Sequence, residues 1–171
     1  MSISELAHVY SIGYMIEEVK VRFKKNVKIN IFQVSIDAQE NDTQTIHRWL
    51  AQVFEENDLV EIQEQDMSVD LLRALSRERI AGADQISALR PDFYVRLQDY
   101  IKGKDGMERE KLAISMQDMV LLRLGKITHL ARSAPLTSDL EQKLTYDEKT
   151  LFQLIHKASK DFKECVLGGK Q

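Results

Sequence analysis

The sequence predicts an α+β protein, mainly a helical bundle domain, preceded by a small β-rich domain. Three observations carry this. The 171 residues include only seven glycines and two prolines, too few for a sandwich or barrel, which places turn residues every ~8 to 12 positions. Alternation of apolar and polar residues with period two is confined to the first part of the chain, and helical spacing dominates the rest. Charge divides at the same place. Residues 1–66 carry six basic and twelve acidic groups, residues 67–171 carry eighteen and fifteen, and the total of −3 is a cancellation of −6 and +3. A chain of this length can bury one medium and one small core. The expected division is an N-terminal extension over 1–18, a small β-rich domain with one helix over 19–66, and a helical domain over 67–171.

In the extension, Ile3, Leu6, Ala7, Tyr10 and Tyr14 suit a helix that Gly13 interrupts. Val19-Lys20-Val21-Arg22-Phe23 then alternates apolar and basic residues, the pattern of a strand with one buried face. Asn26 fits a turn, and Val27, Ile29 and Ile31 resume the alternation. Phe32, Val34 and Ile36 continue it out of phase, which implies a bulge or break near Ile31-Phe32 and a small hairpin or meander. The polar stretch from Asp37 to Thr43 reads as a loop, with Thr43 or Thr45 available to cap a helix. That helix carries Ile46, Trp49, Leu50, Val53 and Phe54 as one apolar stripe. Asn57-Asp58 stops it, and Leu59 to Ile62 returns as a short strand.

The second part reads as helix throughout. Ser68 can cap a helix through Leu72, Leu75 and Arg79 that ends near Gly82, before a short linker. Pro91 fits a first helical position ahead of Phe93, and Lys102 to Gly106 breaks the chain. From Met107 to about Ala134, Met116, Val120, Leu124, Ile127 and Ala131 keep the spacing of one long amphipathic helix, about 42 Å at 1.5 Å per residue. Pro135 ends it. Thr145 and Glu148 form a capping box for a final helix bearing Leu151, Leu154, Ile155, Ala158 and Phe162, and Gly168-Gly169 closes it.

The chemistry is sparse. Gly-rich phosphate loops and the G-x-S-x-G, H-E-x-x-H and C-x-x-C motifs are absent, and no catalytic, cofactor-binding or metal-ligating set emerges. His8, His47, His129 and His156 are scattered, and His129 reads as a helix-surface residue. Adjacent acids such as Glu17-Glu18 and Glu55-Glu56 do not share a helix face. The single cysteine, Cys165, cannot make an internal disulfide and suits a reducing compartment. With no span of ~20 apolar residues and no secretion signal, the expectation is a soluble, cytoplasmic protein with no membrane contact.

Two surfaces invite partners. Lys20, Arg22, Lys24, Lys25 and Lys28 form a basic run that could line a phosphate backbone, giving a weak DNA contact. The favoured reading is instead a charged edge that blocks sheet aggregation, or pairing with the acidic run Glu55, Glu56, Asp58, Glu61, Glu64 and Asp66. Arg123, Lys126, His129 and Arg132 recur every three residues as a solvated stripe, an acidic-partner face or a DNA face. The long helix is apolar around much of its girth, which subunit contact or ordinary core would explain. Phe93, Tyr94, Leu97, Met119, Leu122 and Ile127 are the candidate interface or core residues.

Five pieces in order carry a family resemblance. They are Val19-Lys20-Val21-Arg22-Phe23-Lys24-Lys25-Asn26-Val27; Trp49-Leu50-Ala51 with Leu59-Val60-Glu61-Ile62; Leu89-Arg90-Pro91-Asp92-Phe93-Tyr94; Asp118 to Ile127 with Leu130-Ala131; and Leu144-Thr145-Tyr146-Asp147-Glu148-Lys149. Over Val19 to Val166 the chain resembles the GINS family of replication proteins, in its archaeal type with the small β-containing domain first. Arg90 departs from the family's leucine-proline pair, and residues 33–45 lack its Gly/Pro-rich loop. The resemblance implies a non-catalytic scaffold without cofactors, a tetramer of two copies with two of a sister GINS subunit. It further implies a nucleoid-associated role in DNA replication, joining the MCM helicase and a RecJ-like protein at the fork.

Overall fold

The computed structural model describes residues 3–31 and 34–168. The fold is α+β, with a small β region followed by a helical bundle. Its residues divide into two compact units, Ser11–Asp66 and Met1–Tyr10 with Met67–Gln171.

The first helix, α1 (Ile3–Ile16), runs through Gly13 without a break. A single helical glycine costs about 1 kcal/mol against alanine, which neighbouring turns can absorb. β1 (Glu18–Phe23) turns Val19, Val21 and Phe23 inward. It does not open a meander. β1 is the centre of a three-stranded antiparallel sheet, between β4 (Thr43–His47) and β5 (Val60–Ile62), with Val21 opposite both Gln44 and Ile62. β2 (Val27–Ile31) and β3 (Val34–Ala38) form a separate hairpin with Ile29 opposite Ile36. β2 ends at Ile31, and Phe32, the other half of the expected break, lies outside the described residues.

Thr43 and Thr45 are strand residues, not helix caps. Threonine and isoleucine favour the pleated, half-buried environment beside β1. The connection is instead made by a tight turn in which Asn41 adopts φ 71°, a conformation asparagine tolerates. The Gln39 N–H there donates to Asp42 Oδ2 at 2.8 Å.

α2 (Arg48–Glu56) shows a second departure. It buries Arg48, Ala51 and Phe54, and it exposes Trp49 and Val53 from the expected stripe. The guanidinium of Arg48 lies 4.0 Å from the centre of the Tyr14 ring and pairs with Glu64. Taking this charged group inward rotates the helix away from its most apolar face. The core of the unit joins Val19, Val21, Phe23, Val27, Ile36, Ala38, Ile46, Ala51, Phe54 and Val60.

The helical unit comprises α3 (Met67–Ile80), α4 (Phe93–Lys102), α5 (Gly106–Ser133), the short α6 (Ser138–Glu141) and α7 (Tyr146–Leu167). α5, 28 residues long, packs against α3, α4 and α7. Its buried line is Leu112, Met119, Arg123, Ile127 and Ala131. Val120 and Leu124 are exposed, so the expected stripe is displaced around the helix by its buried arginine. α3 likewise buries Leu71, Ala74, Leu75 and Glu78 and leaves Leu72 and Arg79 outside. Residues 81–92 are no free linker, because Ile86 and Leu89 are buried and the Leu89 N–H donates to the Lys143 carbonyl at 3.1 Å. Pro91 precedes α4, whose N-cap is Asp92. One core gathers Leu71, Leu75, Leu97, Leu112 and Met119 with their neighbours, and a second gathers Ile86, Ile127, Ala131, Leu144 and Phe152.

α7 opens on the expected capping box. Thr145 Oγ1 accepts from the Glu148 N–H at 3.3 Å, and the Thr145 N–H donates to Glu148 Oε2 at 2.9 Å. Farther along, Phe152 is the buried residue, whereas Leu154 and Phe162 are exposed. Gly168, with φ 64°, terminates the helix in the left-handed conformation that glycine adopts freely. Thr145→Ala should lower stability by about 1 to 2 kcal/mol, because the cap is buried. The midpoint of urea unfolding reads this loss, and Thr137→Ala, at the exposed cap of the one-turn α6, provides a weaker control.

Candidate functional site

The strongest concentration of polar chemistry lies inside the helical unit, on Arg123 of α5. Its side chain is 1% exposed and that of Glu78 is 0% exposed, so neither ion can rely on water. Arg123 Nη1 donates to Glu78 Oε2 at 2.8 Å and to the Ser87 carbonyl at 2.7 Å. Nε and Nη2 grip Glu148 as a fork, Nη2 to Oε2 at 2.7 Å, and Nη2 also reaches the Lys143 carbonyl at 3.2 Å. Five contacts use the planar donor set that distinguishes arginine from lysine.

Each carboxylate has further partners. Lys126, one turn beyond Arg123 and on the α3 side, meets Glu78 Oε1 at 2.8 Å and caps the Glu78 and Ala81 carbonyls at the end of α3. The Ser87 N–H donates to Glu78 Oε2 at 3.1 Å, and Ser87 Oγ approaches the same oxygen. Tyr94 Oη donates to Glu148 Oε1 at 2.7 Å. Two carboxylates and two cations thus balance, and their arrangement ties together α3, segment 81–92, α4, α5 and the start of α7.

Electrostatics favour this charge state. Burial pushes the Glu78 carboxyl up, but hydrogen bonds from Lys126 and Ser87 and the charge of Arg123 outweigh it and hold the group below its ordinary value. Burial works against the Arg123 charge too, and the Glu148 hydrogen bonds overcome it and raise the group. Burial and the neighbouring Glu148 charge push Tyr94 far up, so its hydroxyl stays a donor. The ensemble is suited to holding helices, because its ions are paired.

For Glu78 the pH dependence has a definite sign. A carboxyl lowered on folding contributes stability that is fully present above its ordinary value of about 4.3 and is lost as pH falls through the lowered folded value. Asp147, raised by burial, opposes this in the same acid range. Glu78→Gln should cost about 3 kcal/mol at neutral pH. The gap between wild type and variant should narrow as pH drops below 4, as read from unfolding curves at a series of pH values.

The sequence-predicted residues separate clearly. Phe93, Leu97, Met119 and Ile127 are buried in the cores of this chain, and Tyr94 and Leu122 are half-buried against them. Arg123 and Lys126 do not belong to a solvated stripe, since both turn inward. His129 is exposed and lies 2.8 Å from Asp84. On β1 and beyond, Arg22 pairs with Glu61, Lys24 and Lys25 meet Asp58 at 2.8 and 3.4 Å, and Lys28 meets Asp37 at 3.1 Å. Hydrogen bonds from Lys24 and Lys25 hold the Asp58 carboxyl low. Only Lys20 of the five lacks an ion pair among the described residues. Glu78 and Ser87 were not singled out by sequence. Their signal was a lone acid on the buried face of α3 and a serine beside it in an apparent linker.

Among the described residues no group of three histidine, cysteine, aspartate or glutamate side chains is placed to hold a metal ion. No described helix is long and apolar enough to cross a membrane. No curated protein matches the chain. The family model Sld5, GINS complex protein helical bundle domain, matches residues 53–166. That stretch contains all the ions of the Arg123 node and the whole bundle from α3 to the last turn of α7. A match over more than half of the chain, covering the helical bundle that the node ties together, places this protein in the GINS family of replication-complex subunits.

Proposed function

We propose that the chain is a non-catalytic scaffold subunit, of the archaeal type with the small β domain first, in a GINS complex of two copies of this chain and two of a sister subunit. The complex links the MCM helicase with a RecJ-like protein at the replication fork, in the cytoplasm and at the nucleoid. The single observation that supports this best is the family match across the helical bundle. The internal pairing of the Arg123 node agrees with it, because a charge-balanced buried network shapes a rigid body and leaves recognition to surfaces. In this reading residues 67–171 assemble the complex and residues 19–66 form a docking module for further proteins. Four of the five cations of the basic run, Arg22, Lys24, Lys25 and Lys28, are engaged with acids of their own unit, so partners are sought among proteins first.

A tagged chain drawn from native extract tests the reading. The expected result is stoichiometric recovery of a second GINS subunit in a particle of 2:2 mass, with MCM and a RecJ-like protein retained at low salt. A chain that elutes alone as a folded monomer would overturn it.

A further inference from the structure

The outward face of α5 is not the polar face that a solvated helix presents. Met107, Ile114 and Leu121 are 70%, 62% and 57% exposed, and each follows the last by seven residues. Seven residues return an α-helix to within about 20° of the same direction, so the three stand in one row that Thr128 continues. Gly125 lies one turn beyond Leu121. A Cβ added there would meet nothing within 4 Å. Glycine in a helix interior is unfavourable relative to alanine, and no neighbour within this chain requires it.

The charges along the row indicate what covers it. Glu110 and Arg132 are exposed, and neither forms an ion pair among the described residues. Glu110 lies eleven residues before Leu121 and Arg132 eleven after it; Ile114 and Thr128 lie seven before and seven after. Two copies of α5 laid antiparallel about Leu121 therefore set Leu121 on Leu121, Ile114 on Thr128 twice, and Glu110 opposite Arg132 twice. A parallel pairing would set Glu110 against Glu110 and Arg132 against Arg132. The self-complementary part spans about 33 Å at 1.5 Å per residue.

We infer that this face of α5 is an isologous contact with a second copy of the chain, antiparallel and centred on Leu121. Gly125 keeps the surface flat beside the two-fold axis, so the two backbones approach closely. The inference rests on the proposed assembly in one respect, since it names the surface through which the two copies of this chain meet.

Cysteine crosslinking and sedimentation test it, in a Cys165→Ser background because Cys165 is exposed. Leu121→Cys should give a covalent dimer with a short bismaleimide, in the purified chain and in the complex from native extract. Ile80→Cys, more exposed but on α3, should not. Leu121→Glu should weaken self-association by about 100-fold, and Glu110→Arg or Arg132→Glu by about 10-fold each. The joint reversal in one chain restores both pairs and should return to within about 3-fold of the original affinity. Absence of the Leu121 crosslink, failure of the joint reversal to compensate, or crosslinking of Leu121→Cys to a different protein would overturn the contact. A 2:2 particle without the Leu121 crosslink refutes this surface and leaves the assembly standing. A Leu121 dimer that recruits no other GINS subunit supports the surface and refutes the assembly.

Discussion

Arg123→Met should destabilise the helical unit by about 3 to 5 kcal/mol, enough to remove a large part of the stability of an ordinary domain. Methionine fills much of the same space, so loss of volume is not the main cost. The variant leaves the carboxylates of Glu78 and Glu148 in a site closed to water, facing each other without the fork that held them apart. It also strips the Ser87 and Lys143 carbonyls of a donor. Lys126 and Tyr94 compensate only in part, because each reaches a single carboxylate. Chemical denaturation of the variant checks the magnitude. Adding Glu78→Gln to Arg123→Met should recover about 1 to 3 kcal/mol relative to additive losses, since the two residues share one contact network. A loss below about 1 kcal/mol would show that the carboxylates are hydrated and that the node is dispensable.

Phe23→Ala should unfold the small unit while the helical unit persists. Phe23 is fully buried, packs edge-on to Phe54 with ring centres 6.5 Å apart, and closes the inner face of β1. Removing a buried phenylalanine costs about 3 to 5 kcal/mol. A core in a unit of fewer than seventy residues rarely supplies more than that in total. Hydrogen exchange resolves the outcome by position. Amides of β1, β4 and β5 should lose protection, and those in the middle of α5 and α7 should keep it. Retained protection in β1 would sink the prediction, as would equal loss across both units.

Much of this architecture is legible in the sequence, and what is not depends on partners distant along the chain. β1, the long α5 and the capping box at Thr145 announced themselves through alternation, uninterrupted helical spacing and a short local motif. These signals depend only on neighbours along the chain. The errors arose where a charged residue was taken inward. Arg48 and Arg123 look like solvent-facing positions, so periodicity places the apolar stripes through Trp49 and Val53, and through Val120 and Leu124, one step around each helix from the faces that pack. Burial of an arginine is decided by a carboxylate distant in sequence, Glu64 in one case and Glu78 with Glu148 in the other. Local periodicity carries no trace of that pairing. Segment 81–92 looks like a linker for a related reason, since its Leu89 is fixed by the Lys143 carbonyl more than fifty residues away. The polar strand β4 was hidden because its threonines also suit caps, and only the partner strand distinguishes the two uses.

The Arg123 node also constrains how the sequence can drift. Any single replacement of Arg123, Glu78 or Glu148 strands a charge, whereas a concerted exchange of these three together with Lys126 for apolar residues of similar volume need not be costly. The three positions should therefore vary as a set among related chains: where position 123 is not basic, positions 78 and 148 should have lost their acids too. Such correlated change would leave a record of the contact between α3, α5 and α7 in aligned sequences, in a way that the apolar residues around them, each replaceable alone by another of like size, would not.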